Sequence, residues 1–217
     1  MTKLYSYARS SAAYRVRIAL NLKGVAYEII PKHLLRDGGE HRKSDYLALN
    51  PQGLIPALDV GGERVIPQSF AILEYLEEAY PSPPLLPATA VDRALVRAMV
   101  LNVVADLHPL NNLRILSFLR SELGQDQAAV DLWYHHWVVE GLRALEEQAR
   151  RFSGDGQHAF GTSVTLADVV LVPQMFNARR FNCDTTAYPT LVGIASYLET
   201  LPAFVQATPD KQPDFKA

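Results

Sequence analysis

The sequence predicts an α/β domain followed by an all-α domain. Short apolar segments with the composition of strands alternate with amphipathic segments as far as Tyr80. A cluster of prolines then interrupts every regular pattern: Pro81, Pro83, Pro84 and Pro87. Beyond this cluster helical periodicity replaces the strand patterns. We therefore expect one domain over residues 1–82 and a helical domain over residues 88–217.

The first elements predict a strand–helix–strand unit. Residues Leu4–Tyr7 have the composition of a short strand, and a small polar turn follows them. Apolar residues then recur at helical spacing, as at Val16 and Leu20. Gly24 lies where a helix C-cap is expected, and Ala26–Ile30 reads as the second strand.

The next elements predict a strand–strand–helix unit. An irregular polar stretch over 34–43 precedes a strand at 54–59 that is entered through a proline. Gly61-Gly62 is a two-residue hairpin signal that joins this strand to Arg64–Ile66. Ser69 is expected to be the N-cap of a helix that runs to Tyr80.

The rest of the chain predicts helices alone. Helical periodicity extends from Asp92 onward and is clear over 127–152, 165–181 and 191–201. Thr165 and Asp168 fit the spacing of a capping box, so we assign Asp168 a structural role.

Composition excludes several classes of function. A net charge of −2 provides no broad basic field for a nucleic-acid partner. The most apolar long segment, 95–107, is too short and too polar for a membrane span, and no secretion signal precedes it. A metal site is not expected, because His135 and His136 point about 100° apart on a helix and neither face gathers three ligands. With one cysteine, Cys183, the chain has no internal disulfide, and we expect a cytoplasmic protein.

Ser10 is the main candidate for chemistry. It lies at the N-terminus of the first predicted helix, where free N–H groups and the helix dipole favour negative charge. A thiolate held there is stabilised, and its pKa falls from the free value of roughly 8.5. Simple N-capping is the alternative explanation of Ser10 and Ser11.

The residues from Arg9 to Leu20, in the order Arg-Ser-Ser-Ala-Ala-Tyr-Arg-Val-Arg-Ile-Ala-Leu, resemble the signature of the zeta-class glutathione transferases. Pro189 and the stretch 212–214 match the same class. The resemblance spans nearly the whole chain and implies the glutathione transferase fold, with a thioredoxin-like βαβ–ββα domain and a helical domain. It also implies glutathione as the cofactor and a homodimer in which the first domain of one protomer pairs with the helices around 91–107 of its partner. Ala12 departs from the pattern, because many members have a cysteine there, so chemistry that needs a protein thiol is not expected.

The resemblance assigns a glutathione site to the first domain. Ser10 and Ser11 would be catalytic. Ile55-Pro56 resembles the family's residue–cis-proline pair, whose backbone can pair with an extended peptide. Gln68 and Ser69 would bind the γ-glutamyl carboxylate at a helix N-terminus. His41 and Gln52 match positions that flank glutathione, although a surface histidine and a turn glutamine explain them equally well.

The resemblance also implies a substrate site for a small dicarboxylate. Its residues would be Arg9, Arg114, Arg180, His108 and Asn112. Arginines form paired hydrogen bonds with carboxylates, and Arg180 is the strongest candidate. The expected activity is the glutathione-dependent cis–trans isomerisation of a maleyl diketo acid, with maleylacetoacetate first and maleylpyruvate second. A general glutathione S-transferase and a protein-binding module without activity are the remaining alternatives.

Overall fold

The chain divides into two compact units. A computed structural model describes residues 1–215. Unit 1 comprises Met1–Pro84 together with the segment that begins at Thr200, and unit 2 comprises Leu85–Glu199. The domain ranges expected from sequence, 1–82 and 88–217, assign the segment after Thr200 to the helical domain, whereas the structure assigns it to unit 1. That segment joins unit 1 because it hydrogen-bonds the first helix: Asn21 Nδ2 donates to the Ala203 carbonyl at 2.9 Å.

Unit 1 contains a four-stranded mixed sheet, which confirms the predicted fold class. Its strands are β1 Thr2–Ser6, β2 Tyr27–Pro31, β3 Ala57–Asp59 and β4 Val65–Pro67. Their order is β2-β1-β3-β4, with β1 and β2 parallel and the other two pairs antiparallel. The parallel pair requires a crossover, and helix α1 (Ser11–Leu22) provides it.

Helix α1 and helix α3 (Ser69–Ala79) run side by side in the same direction. Arg15 of α1 bonds Ser69, the first residue of α3, and Lys23 just after α1 bonds Glu77 near the end of α3. Each of these contacts spans the same sequence separation, 54 residues. The N-termini of α1 and α3 therefore lie at the same end of unit 1.

Three local features of unit 1 differ from the sequence expectations. A short helix, α2 (Ser44–Leu49), lies in a region where no element was expected. The turn of the β3–β4 hairpin is longer than Gly61-Gly62, because Val60 N bonds Arg64 O and the intervening residues, Glu63 included, have φ between 61° and 85°. Gln68, and not Ser69, is the N-cap of α3.

Unit 2 contains helices and no strand in the part that the structure describes, as expected, with one isolated β-bridge between Ser153 and Gly161. Its helices are α4 Ala90–Leu101, α5 His108–Leu110, α6 Leu113–Ser121, α7 Gln127–Phe152, α8 Leu166–Arg180 and α9 Pro189–Leu198. A π-helical segment, Asn102–Leu107, joins α4 to α5. The last helix, α10 (Pro202–Ala207), belongs to unit 1. None of the helices in residues 1–215 is long and apolar enough to span a bilayer.

The predicted capping box at the start of α8 is present. The buried Asp168 carboxylate accepts hydrogen bonds from the Thr165 N–H at 2.7 Å and the Thr165 hydroxyl at 3.0 Å. It also accepts one from the Ala159 N–H at 2.7 Å, so its role is structural.

Candidate active site

Ser10 is the N-cap of α1. Its backbone is extended, with φ −77° and ψ 115°, and its Oγ accepts a hydrogen bond from Ala13 N at 3.2 Å. Because the hydroxyl only accepts in this bond, its hydrogen remains available to donate outward. Capping and thiolate stabilisation are therefore compatible at Ser10. Ser11, the first residue of α1, is buried, with a relative exposure of 4%.

The loop before Ser10 is fixed by two buried groups. Arg17 donates from its guanidinium to Ser6 Oγ at 3.1 Å, to the Ala8 carbonyl at 3.1 Å and to the carbonyls of Tyr7 and Ala207. Asp214 accepts from the Ala8 N–H at 2.9 Å. The C-terminal segment of unit 1 thus holds the backbone that presents Ser10.

The Ile55-Pro56 peptide bond is cis, as the sequence resemblance predicts. The preceding carbonyl, of Leu54, is held by the Tyr46 hydroxyl at 2.6 Å and by Asn50 Nδ2 at 2.8 Å. The backbone N–H and C=O of Ile55 have no hydrogen-bond partner within residues 1–215. These two groups can therefore pair with an extended ligand.

Gln68 and Ser69 lie at the N-terminus of α3. Gln68 has φ 67° and ψ 118°, a backbone conformation that is costly for a residue with a side chain and that is enriched at active sites and ligand-binding segments. Its Nε2 donates to Gln52 Oε1 at 2.8 Å, which brings together two of the residues assigned to the cofactor. Since α1 and α3 share one end of unit 1, Ser10 lies at the same end as this pair.

His41 is buried in a 3-10 turn beside the glycine that follows Gln52. A Cβ on that glycine, Gly53, would lie 3.2 Å from the His41 carbonyl, so the two segments touch. Burial and the charge of Arg42 lower the pKa of His41, and a backbone hydrogen bond to His33 partly offsets them. Its Nδ1 is buried without a partner in the described chain.

Arg9 adjoins Ser10 and is exposed. Its guanidinium lies over the ring of Phe215, 5.4 Å from the centroid. No carboxylate of unit 1 forms an ion pair with it within the described residues, so its charge is available to an anion.

The other predicted substrate residues lie in unit 2. Asn112 is the N-cap of α6, where its Oδ1 accepts from Arg114 N at 3.1 Å. The Arg114 side chain is exposed, and His108 is half-buried at the start of α5. The Asn112 side chain is therefore committed to capping, while its Nδ2 remains a donor.

Arg180 ends α8 and lies over the ring of Phe181, 5.3 Å from its centroid. The Phe181 ring stacks on the ring of Tyr134 in α7, with 4.0 Å between the ring centroids. Asn111 Nδ2 donates a hydrogen bond to the Tyr134 carbonyl at 3.1 Å. The C-terminus of α8 and the N-terminus of α6 thus meet α7 at one residue, which brings the segments carrying Arg180 and Arg114 toward each other.

Arg179 and Arg180 differ in pairing although they are neighbours. The Arg179 guanidinium forms a two-bond ion pair with the carboxylate of Glu199. Arg180 is exposed and has no carboxylate partner within residues 1–215. Arg180 is therefore the one of the two that can accept a carboxylate from solution.

No group of three or more metal-ligating side chains is assembled in the described residues. His135 instead contacts the Phe181 carbonyl through Nε2 at 2.8 Å, and His136 packs against Trp137. Cys183 is buried, and burial raises the pKa of its thiol to about 11, so it is a poor nucleophile.

Sequence reasoning assigned no role to four residues that support the candidate site in unit 1: Arg15, Tyr46, Asn50 and Asp214. Arg15 and Asp214 entered it only as matches to the class. Arg15 and Asp214 have partners that are distant in sequence, Ser69 and Ala8, so no local spacing indicates these contacts. Tyr46 and Asn50 bond the nearby Leu54 carbonyl, but they lie in a region where no element was expected. An arginine on a helix face that is otherwise apolar was the one available signal, and it applied to Arg15.

A family model for the N-terminal domain of glutathione S-transferase matches residues 9–79. The chain is also similar to curated proteins over nearly its whole length. A probable maleylacetoacetate isomerase of Vibrio cholerae is 49% identical over 211 residues, covering 97% of each chain. A maleylpyruvate isomerase of a Ralstonia species is 48% identical over 212 residues, covering 98% of this chain and 99% of the relative.

Solved structures give the same picture. A holo structure of a maleylpyruvate isomerase, described as a bacterial zeta-class glutathione S-transferase, has a TM-score of 0.94 at 48% identity and covers 98% of this chain and 99% of its own. A maleylacetoacetate isomerase of Methylobacterium extorquens, with bound malonate and glutathione, has a TM-score of 0.93 at 40% identity and covers 99% of this chain and all of its own.

Proposed function

We infer, from the premise that this chain belongs to the zeta class of the glutathione transferase family, that it is a glutathione-dependent isomerase of maleyl diketo acids. We propose maleylacetoacetate as its substrate, which it converts to fumarylacetoacetate. The observation that carries the proposal is Ser10: a hydroxyl hydrogen free to donate, at the N-terminus of α1.

Residues of unit 1 fit glutathione, and the structure offers three observations for this fit. Ser10 and the N-terminus of α1 suit a thiolate. The unpaired backbone groups of Ile55 suit an extended peptide. Ser69 and the free N–H groups of α3 suit a carboxylate, and the buried guanidinium beside Ser69 has two unpaired nitrogen atoms.

When bound, glutathione supplies a thiolate that adds to the cis double bond, permits rotation about the resulting single bond, and leaves as the trans double bond forms. The chain supplies orientation and electrostatic stabilisation. Ser10 donates a hydrogen bond to the sulfur and thereby favours its ionised state. Gln68, Ser69 and the Ile55 backbone hold the tripeptide, with Gln52 and His41 supporting this segment.

The arginines hold the substrate's carboxylates. Arg180 is proposed as the main anchor, because it has no carboxylate partner of its own. Arg114 and Arg9 are exposed cations without ion pairs in the described chain, and His108 and Asn112 add hydrogen-bonding groups near Arg114. The malonate bound by the Methylobacterium relative supports a site for small dicarboxylates.

The test is an isomerisation assay of maleylacetoacetate and maleylpyruvate, with and without glutathione. We expect turnover only with glutathione and a higher kcat/KM for maleylacetoacetate. Arg180→Ala should lower kcat/KM by roughly 10- to 100-fold, since it removes a charged hydrogen-bonding partner of the substrate. Arg179→Ala is the matched control, because its side chain is committed to Glu199, and it should stay within about threefold of wild type.

Other outcomes would replace the proposal. A higher kcat/KM for maleylpyruvate than for maleylacetoacetate would make maleylpyruvate the substrate. Glutathione binding without turnover of either would favour a general glutathione S-transferase, and absence of glutathione binding would favour a protein-binding module.

We also propose a cytoplasmic homodimer. Val91, Ala94, Ala98 and Leu101 are exposed on α4 at helical spacing, so they form one apolar face in the region expected to contact the partner. A reducing compartment suits the unpaired Cys183. Sedimentation equilibrium of wild type and Leu101→Glu tests the dimer: we expect a dimer that the charge dissociates, and a wild-type monomer would contradict it.

A further inference from the structure

Two arginines of α1 lie inside unit 1 and differ in their partners. Arg15 and Arg17 are 1% and 0% exposed. Arg17 has four acceptors for its guanidinium. Arg15 donates a single hydrogen bond, to Ser69 Oγ at 3.3 Å, and its Nε and Nη2 have no partner within residues 1–215. Arg15 is therefore a buried cation with unused donors.

A buried charge of this kind is unfavourable for folding unless something compensates it. Burial lowers the pKa of Arg15 to about 9, so the side chain is still charged at neutral pH. No carboxylate in the described residues forms an ion pair with it. The fold itself does not compensate the buried charge of Arg15, whereas a bound anion would compensate it.

The location of Arg15 identifies the anion. Its Nη1 reaches the hydroxyl of Ser69, the first residue of α3, at a helix N-terminus whose free N–H groups already favour negative charge. The guanidinium occupies a lone pair of the Ser69 oxygen, which leaves the hydroxyl hydrogen to donate toward a ligand. Gln68, in its positive-φ conformation, precedes the same point.

We propose that Arg15 is a positioning residue for the α-carboxylate of the γ-glutamyl residue of glutathione. It fixes the Ser69 hydroxyl as a donor and places a positive charge behind the N-terminus of α3. This inference rests on the proposed function, since it concerns the binding of the same cofactor. Arg15 acts from inside the unit, through Ser69, and not at the thiolate.

Calorimetric titration tests the inference with two ligands. One is glutathione, and the other is the analogue in which 4-aminobutyrate replaces the γ-glutamyl residue and so lacks the α-carboxylate. Arg15→Met should weaken glutathione binding by about tenfold or more, and weaken the analogue by less than about twofold. Arg15→Lys keeps the charge and should give an intermediate loss for glutathione.

The control is Arg17→Lys, two residues along the same helix. It disturbs the loop before Ser10, so it should weaken both ligands by the same factor. Thermal unfolding of the ligand-free protein adds a second criterion: Arg15→Met should not lower the midpoint, because it removes an incompletely satisfied buried charge. In the isomerase assay, Arg15→Met should raise the KM for glutathione while kcat at saturating glutathione changes much less.

Equal losses for the two ligands in Arg15→Met, or no loss for either, would overturn the inference. If Arg15→Met does not fold, Arg15→Lys replaces it. A ratio of the dissociation constants for the two ligands equal to that of the wild type in Arg15→Lys would then overturn the inference. Absence of glutathione binding by the wild-type protein would instead contradict the proposed function, so the two failures are distinguishable.

Discussion

At the scale of single residues, Ser10 combines two roles that usually compete. Its oxygen satisfies the Ala13 N–H as a helix cap, and its hydrogen is free to donate to a thiolate. The buried Arg17 and Asp214 hold the preceding backbone, so the hydroxyl is presented in one direction. Preorganised donors of this kind stabilise charge without a reorganisation step.

Ser10→Ala tests the second role. We expect kcat to fall by roughly 10²-fold, since one donor to a developing or resident negative charge is lost. The thiol pKa of bound glutathione should rise by about one unit or more, measured by the ultraviolet absorbance of the thiolate as a function of pH.

Thr89→Ala serves as the control for capping. Thr89 is the N-cap of α4, and its hydroxyl oxygen accepts a hydrogen bond from Asp92 N. Its loss should destabilise the protein by about 1 kcal/mol, as loss of the Ser10 cap should, but should leave the thiol pKa of bound glutathione unchanged. A bound-thiol pKa that is unchanged in Ser10→Ala would reduce Ser10 to a helix cap.

His41 should make the protein sensitive to acid. Its pKa is lowered in the fold, so below its ordinary pKa of about 6.5 the unfolded chain takes up a proton that the folded chain does not. Stability is therefore lost as the pH falls below about 6.5. We expect the free energy of unfolding of His41→Gln, measured with urea, to fall less steeply between about pH 7.5 and about pH 5.5 than that of the wild type. Equal pH slopes in the two proteins would contradict this assignment.

Sequence reasoning proposed those candidate site residues that belong to short motifs. Ser10 follows from its place before a helix, and the pair Gln68 and Ser69 follows in the same way. It could not find the support of these residues. Arg15 reaches Ser69 across 54 residues, and Asp214 reaches Ala8 across 206, contacts that only the folded chain creates.

At the scale of elements, α7 crosses the π-helical segment at a point of close approach. A Cβ at Gly141 of α7 would lie 2.3 Å from Leu107 Cδ1 and 2.9 Å from Leu107 Cγ. No side chain fits there unless the Leu107 side chain or one of the two elements shifts. The glycine is therefore a packing requirement, although it weakens α7 as an isolated helix.

Two alanine substitutions separate these effects. Gly141→Ala should destabilise the protein by about 1–3 kcal/mol, because overpacking outweighs the gain in helix propensity. Gly193→Ala in α9 meets nothing within 4 Å and should stabilise by roughly 0.5–1 kcal/mol. The measurement is the free energy of unfolding of each variant, and a stabilising Gly141→Ala would contradict the close approach.

Elements with a long periodic pattern and the four short strands were predicted, and the short helix α2 was not. The sequence bounds 127–152 of α7 agree with the structure. Helix α2 was missed because six residues are too few for a periodic signal. The N-cap of α3 was assigned one residue late, because nothing in the sequence indicates that Gln68 adopts φ 67°.

At the scale of the whole molecule, unit 1 is built from both ends of the chain. The segment after Thr200 contributes α10, whose Ala207 carbonyl accepts from Arg17, and then Asp214, which accepts from Ala8. The fold class followed from the order of strand and helix patterns. The return of the C-terminal segment did not, since contacts between residues about 200 apart leave no periodic trace.

Truncation tests this dependence. A chain that ends at Ala207 lacks Asp214, and we expect it to bind glutathione at least about tenfold more weakly, because the Ala8 N–H loses its buried acceptor. A chain that ends at Phe215 retains Asp214 and is the control. Titration calorimetry measures both, and equal affinities would show that the loop before Ser10 holds its shape alone.

The discontinuity of unit 1 has a consequence during protein synthesis. At roughly 5–20 residues per second, a ribosome adds Asp214 about 10–40 s after it adds Ser10. Throughout that interval the nascent chain carries the motif of the cofactor site and Arg17, but lacks Asp214, which holds the Ala8 N–H. Full affinity for the cofactor is therefore expected only after Asp214 has been added and has reached the Ala8 N–H.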